Sequence, residues 1–179
     1  KIYINMMRIS DTVKHLIIIN VIMFVGTMFI GGGDLFREWF TMFFPKNDLY
    51  KPWQVLTHMF MHGGPTHILF NMFALWMFGS PVENYLGSKK FLFLYLSAGL
   101  GAVALQMGYS YFIFNQDLNI LLEAGFNQDQ ILNTLNSGIG MRDTRWDAFL
   151  PGQQLISFLE VFNTGLVGAS GCIMGIMVA

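Results

Sequence analysis

Along this chain, runs without Asp, Glu, Lys or Arg alternate with short polar stretches, and the runs are long enough to matter. From Val13 to Ile30 the only such residue is Lys14. At about 1.5 Å per residue the segment nearly crosses a hydrocarbon core about 30 Å thick. Gly31 to Gly33 close it. A second run covers about 57–82, a third 91–114, and a fourth opens at Ser170 and continues to Ala179. The connections differ in character. Residues 34–51 mix Asp34, Arg37, Glu38, Lys46 and Asp48 with Phe36, Trp39, Phe40, Phe43 and Phe44, as an interfacial loop at headgroup level does. Glu83 to Lys90 is a polar turn. Residues 115–154 hold five acids and two arginines and read as a soluble, outward-facing insertion. In it Leu118, Leu121 and Leu122, then Ile131, Leu132 and Leu135, recur at helical spacing around Gly125, which predicts two short amphipathic helices. The pattern predicts an all-α, polytopic transmembrane helical bundle. It has three full spans, the start of a fourth, a partly helical insertion before the fourth, and one membrane domain over 1–179.

Composition narrows the class. Of 179 residues, 54% are hydrophobic and 12% charged, against about 25% charged in a soluble domain. This implies an integral membrane protein in contact with the lipid bilayer. A net charge of −1 gives no reason to expect a nucleic-acid partner. The single cysteine, Cys172, excludes an internal disulfide and sits in an apolar stretch. Lys1, Arg8 and Lys14 outweigh Asp11, and Lys89 and Lys90 outweigh Glu83, while the insertion is net negative. By the positive-inside rule the N-terminus and the second loop are cytoplasmic. The chain starts at Lys1, with Met6 or Met7 as candidate starts, and stops within an apolar run, so it reads as a C-terminally truncated fragment. No cleavable signal peptide is evident.

Two groups of residues carry candidate chemistry. The second run contains His58, His62, His67 and Asn71, and the last two, four residues apart, share a helix face. Polar groups at membrane depth are costly unless they find partners, so they are functional candidates, with interhelical hydrogen bonding as the plainer alternative. The other group is Gly165 to Gly171, where Ser170 stands between small residues at the start of a helix-compatible run. A serine nucleophile needs nearby N–H groups for the oxyanion, and glycines and a helix start supply them. Close helix packing also selects Gly, Ala and Ser, and Gly171 with Gly175 implies a tightly packed partner helix that does not follow Ala179. Gly99, Gly101, Ala98, Ala102 and Ala104 mark a second small-residue surface. His58, His62 and His67 lack a neighbouring Cys, Asp or Glu to complete a metal ligand set, so no metal or other cofactor is expected. The absence of charge within the spans counts against an ion-coupled transporter.

Together, the series His58, His62, His67, Asn71 on the second span and Gly168-Ala169-Ser170-Gly171 opening the fourth resemble a rhomboid intramembrane serine protease of the bacterial type. The resemblance covers about Val13 to Ala179, with an insertion longer than a minimal rhomboid has. It implies Ser170 as nucleophile, His67 and Asn71 as oxyanion donors, and the Gly168 backbone completing the oxyanion site, with His58 and His62 as polar support. It further implies a serine-type endopeptidase of the bacterial cytoplasmic membrane, acting on single-span membrane protein substrates. The family's Ser–His dyad takes its histidine from a later span. His15, His58, His62 and His67 all precede Ser170, so the general base is expected beyond Ala179 and the fragment alone is expected to be inactive. The alternative is a proteolytically inactive rhomboid-like protein that binds membrane clients.

Overall fold

The computed structural model describes residues 8–179. Lys1 and the candidate starts Met6 and Met7 lie outside these residues. The described residues are helical apart from turns, loops and one isolated antiparallel bridge between Met42 and Leu166. They divide into two compact units.

The first unit comprises residues 8–41, 53–104 and 167–179. It begins with α1 (Asp11–Phe29), whose outward apolar side chains, Ile18, Ile22, Val25 and Phe29 among them, are exposed as they are when lipid is the solvent. A short 3-10 turn (Gly31–Gly33), with all three glycines at positive φ, leads to α2 (Asp34–Phe40). Only glycine takes that conformation without strain. After α3 (Gln54–Thr57) and a 3-10 turn at His58–Phe60, the chain breaks out of helix. Helix resumes at Pro65, in the first-turn position where a missing N–H costs nothing. The second apolar run, read from sequence as 57–82, is therefore continuous helix only from Pro65: α4 (Pro65–Ala74), a π-turn (Leu75–Gly79) and α5 (Ser80–Leu86) join with helical backbone throughout. Gly63, Gly64 and Pro65 disfavour helix, and that sets the break.

α6 (Ser88–Glu123) is 36 residues long and, with α1, is one of two helices among the described residues long and apolar enough to cross a membrane. Leu118, Leu121 and Leu122, expected on a separate insertion helix, are on this one. In sequence the charge-free run ends at Phe114 and Asp117 counts among the acids of the insertion, but Asp117 is buried and accepts a hydrogen bond from Gln154 Nε2 at 2.8 Å, and the helix runs through it. The first unit closes with α9 (Ser170–Met177). Its core gathers Val13, Leu16, Met59, Leu75, Phe91, Tyr95, Cys172, Ile173 and Ile176.

The small residues explain how α9 is seated. A Cβ at Gly171 would meet Ala102 Cβ at 2.6 Å, a Cβ at Gly175 would overlap Ala98, and Gly99 gives room to the Cys172 Sγ. The partner helix that Gly171 and Gly175 require is thus α6, already in the chain. Close approach of backbones through such residues is how apolar helices gain packing energy in lipid.

At the other end, Glu83 binds two helix termini. Its carboxylate accepts the N–H groups of Thr12 and Val13 at 3.1 and 3.0 Å, the Ser10 hydroxyl, and the Ser88 hydroxyl at 2.7 Å. The first N–H groups of α1 have no intrahelical acceptor, and Glu83 supplies it, with the charge that a helix N-terminus favours.

The second unit comprises Met42–Pro52 and Leu105–Leu166. It holds the end of α6, α7 (Gln128–Asn136), a 3-10 turn (Thr144–Ala148) and α8 (Gln153–Asn163) around its own core of Phe44, Phe114, Leu118, Leu121, Ile131, Leu135, Trp146, Leu150, Phe158 and Phe162.

Candidate active site

The site lies in the first unit, where the break at residues 61–64 meets the approach to α9. Gly63 N–H donates to His67 Nδ1 at 3.3 Å. A neutral imidazole whose Nδ1 accepts carries its proton on Nε2, so His67 presents an N–H from the far side of the ring. That side faces Gly168: a Cβ built there would lie 2.9 Å from His67 Nε2 and 3.7 Å from Asn71 Nδ2. Asn71, one turn after His67 on α4, is buried, and its Nδ2 has no acceptor among the described residues. Two neutral donors therefore converge on the space beside Gly168, two residues before Ser170. A buried amide left without an acceptor costs about 1–3 kcal/mol, and such a donor is available to an incoming oxygen.

Gly168 departs from its expected part. Its N–H donates to the His58 carbonyl at 2.9 Å and is not free to bind an oxyanion. What Gly168 contributes is the absence of a side chain, at φ +120°, where His67 and Asn71 need room. His58 holds it there. The His58 ring is buried, with Nδ1 donating to the Gln54 carbonyl at 2.9 Å, so the residue acts on the site through its backbone. His62 is 3% exposed, neither ring nitrogen has a partner among the described residues, and its ring meets that of His67 edge to face at 5.1 Å. No group of three His, Cys, Asp or Glu suited to a metal occurs among the described residues.

Ser170 is the first residue of α9 and is exposed. The first bond of that helix runs from Ile173 N–H to Ala169 O at 2.9 Å, so the amides of Ser170, Gly171 and Cys172 precede the helical ladder, with the positive end of the helix dipole around them. The hydroxyl is thus set beside N–H donors and carries no side-chain base of its own among the described residues. Sequence reasoning missed the Gly63 amide that fixes the His67 tautomer; its signal was the Gly63-Gly64-Pro65 break.

A comparison with family models matches the Rhomboid domain over residues 50–122, which include His58, His62, His67 and Asn71. Over those residues the chain is similar to a rhomboid domain. It is similar to rhomboid protease GluP of Bacillus subtilis, 36% identical over 100 residues, which are 53% of this chain and 20% of that protein. Putative rhomboid protease YdcA of Bacillus subtilis is 35% identical over 48 residues, 27% of this chain and 24% of the relative. Rhomboid protease GlpG of Salmonella choleraesuis is 29% identical over 101 residues, 56% and 37% of the two chains. The matched part of this chain thus spans well under half the length of each relative. The match to the Rhomboid domain and the apolar helices together support an integral membrane protein.

Proposed function

We propose that the protein is an intramembrane serine endopeptidase that cuts membrane protein substrates, with Ser170 as nucleophile and His67 and Asn71 as oxyanion donors. The observation that carries this reading is the convergence of His67 Nε2 and the unpaired Asn71 Nδ2 beside Gly168, two residues from an exposed serine at a helix start. Names of rhomboid proteases among the relatives support it.

Ser170 Oγ attacks the scissile carbonyl carbon, its proton passes to a general base, and the carbonyl oxygen becomes an oxyanion that accepts from His67 Nε2–H, Asn71 Nδ2–H and the amides at the start of α9. Collapse breaks the C–N bond as the base returns the proton to the leaving amine, giving an acyl-enzyme. Water, giving a proton to the base, then attacks the ester carbon, and Ser170 Oγ leaves as it takes that proton back from the base. Neutral donors suit an apolar site, because burying Lys or Arg there costs far more. None of the histidines in the chain is available as base: His67 is a donor, His58 and His62 are buried around it, and His15 is on α1. The base is a histidine from chain beyond Ala179, and residues 1–179 alone do not hydrolyse peptide bonds. Substrates are single-span proteins whose helix unwinds locally, since a spanning helix hides its peptide bonds. The protein resides in the bacterial cytoplasmic membrane with its N-terminus cytoplasmic.

The test is cleavage of a single-span reporter by the full-length gene product in proteoliposomes, with fluorophosphonate labelling as the second readout. Ser170→Ala is expected to abolish both. Cleavage that survives this substitution overturns the reading, as does a full-length sequence without a histidine in a later apolar span.

A further inference from the structure

The insertion has a feature unrelated to the chemistry at Ser170. Between α7 and the 3-10 turn at Thr144–Ala148 lies the loop Ser137 to Met141, and its two apolar side chains stand outside the fold: Ile139 is 87% exposed and Met141 52%. A chance surface leucine needs no explanation, but an isoleucine between two glycines at the tip of a loop, with a methionine directly after them, is unusual for water.

The topology of the second unit tells where this tip goes. α6 has 36 residues, about 54 Å of helix against a hydrocarbon core of about 30 Å, so its last turns extend beyond the apolar phase. At Gly125, with φ +92°, the chain reverses: Gly125 N–H bonds Leu122 O at 3.0 Å and Phe126 N–H bonds Leu121 O at 3.1 Å. α7 then packs Ile131 and Leu135 into the same core as Leu118, Leu121 and Phe114 of α6. Two helices joined by so short a turn and sharing a core run antiparallel. Counting equal steps from Gly125 sets Asn136, the end of α7, level with Phe114. That is where the charge-free run 91–114 ends. Just before it α6 exposes Tyr109, Tyr111 and Phe112, the aromatic signature of a membrane–water boundary. The loop that follows Asn136 thus reaches the depth of this aromatic band.

Its base is fixed and neutral. Asn136 Oδ1 accepts Asp48 N–H at 3.0 Å and its Nδ2 donates to Lys46 O at 3.4 Å. Arg142 pairs with Asp147 through two hydrogen bonds of 2.9 and 3.2 Å, and Arg145 pairs with Asp143, the shortest contact being 2.6 Å. The charges next to the tip cancel within the loop, so nothing in it is drawn to an anionic headgroup and nothing charged has to enter lipid.

We propose that Ile139 and Met141 dip into the lipid interface and anchor the insertion to the bilayer by apolar burial, independent of lipid charge. The test uses the full-length protein in nanodiscs of zwitterionic lipid, with Cys172→Ala as background and an environment-sensitive fluorophore on Ile139→Cys or, as control, on Gln128→Cys at the far turn of the insertion. The label at position 139 is expected to be blue-shifted, to lose most of its intensity to shallow spin-labelled lipids, to resist aqueous iodide and to be unchanged in high salt. The label at position 128 is expected to behave oppositely toward lipid quencher and iodide. Iodide quenching at position 139 equal to that at 128 overturns the proposal, and so does shielding from both quenchers, which would mean that protein covers the tip.

Discussion

Gly168 lies against the imidazole of His67 so closely that a methyl group on it would stand 2.9 Å from both Cε1 and Nε2. The main chain before Ser170 and the donor ring are thus fitted to each other, and the fit depends on one missing Cβ.

Gly168→Ala is therefore expected to displace the His67 ring and to strain a backbone at φ +120°. Stability should fall by about 1–3 kcal/mol, and kcat in the full-length protein by about 100-fold or more, the scale of losing one oxyanion donor. Thermal unfolding and reporter cleavage on the same preparation check it. An alanine variant with wild-type turnover would mean that His67 does not work from this position.

Asn71→Leu separates activity from stability. In the resting protein Asn71 Nδ2 is buried without an acceptor, so replacing the amide with an apolar group of similar shape removes a desolvation cost. Unchanged or raised unfolding resistance is expected alongside a drop of about 10²–10³ in kcat, with little change in KM. Loss of stability and activity together would assign Asn71 to structure.

The Glu83 carboxyl gives a pH prediction. Burial pushes its pKa up, but the hydrogen bonds from Ser10, Thr12, Ser88 and Val13 outweigh this and lower it to about 2 from an ordinary 4.5. Because the folded value is the lower one, its contribution is fully present above pH 4.5 and is lost as pH falls from there toward 2. Glu83→Gln should cost about 1–3 kcal/mol at neutral pH, the range for hydrogen bonds to a charged group, and should flatten the acid limb of stability against pH between those values. An acid limb identical to wild type would remove Glu83 as its source.

Gly175→Leu tests the seat of α9. The added side chain would drive into Ala98, and overpacking of this kind costs about 1–3 kcal/mol. The shift in unfolding midpoint should be partly recovered by Ala98→Gly in the double variant. No recovery would show that the two helices do not meet through these residues.

Much of the candidate site was legible in the sequence, because a spacing of four sets His67 and Asn71 on one helix face and because small residues around Ser170 announce a helix start in close quarters. The parts that were not legible depend on contacts between segments distant in sequence. Gly168 looked like an oxyanion donor until the His58 carbonyl was found to hold its N–H. Asp117 looked like part of the soluble insertion because an acid in an apolar helix is costly alone, and Gln154, which pairs with it, is 37 residues away. The run from Thr57 was read through Gly63 and Gly64, since hydropathy registers them as neutral, whereas backbone freedom and Pro65 decide where helix begins. Asn20, fully buried on α1, drew no attention at all, because its Nδ2 is satisfied locally by the Leu16 carbonyl at 2.7 Å.

The π-turn at Leu75–Gly79 lies between Asn71 and Glu83 on one unbroken helix. In a regular helix, at about 100° per residue, the separation of those two residues leaves them roughly 120° apart around the axis. A π-turn absorbs one surplus residue, taking back about 100° and bringing them nearly into line. The turn acts as a phase corrector: it lets one helix aim its donor toward Gly168 and its carboxylate at the start of α1 from the same side. Shortening the chain by one residue within the turn, by deleting Met77, should restore a regular helix and keep both ends in phase. Deleting Phe70 instead, before Asn71, should leave Asn71 and Glu83 in phase but shorten the His67–Asn71 spacing to three, turning one donor about 100° relative to the other and costing the protein its chemistry while the clasp at Glu83 stays.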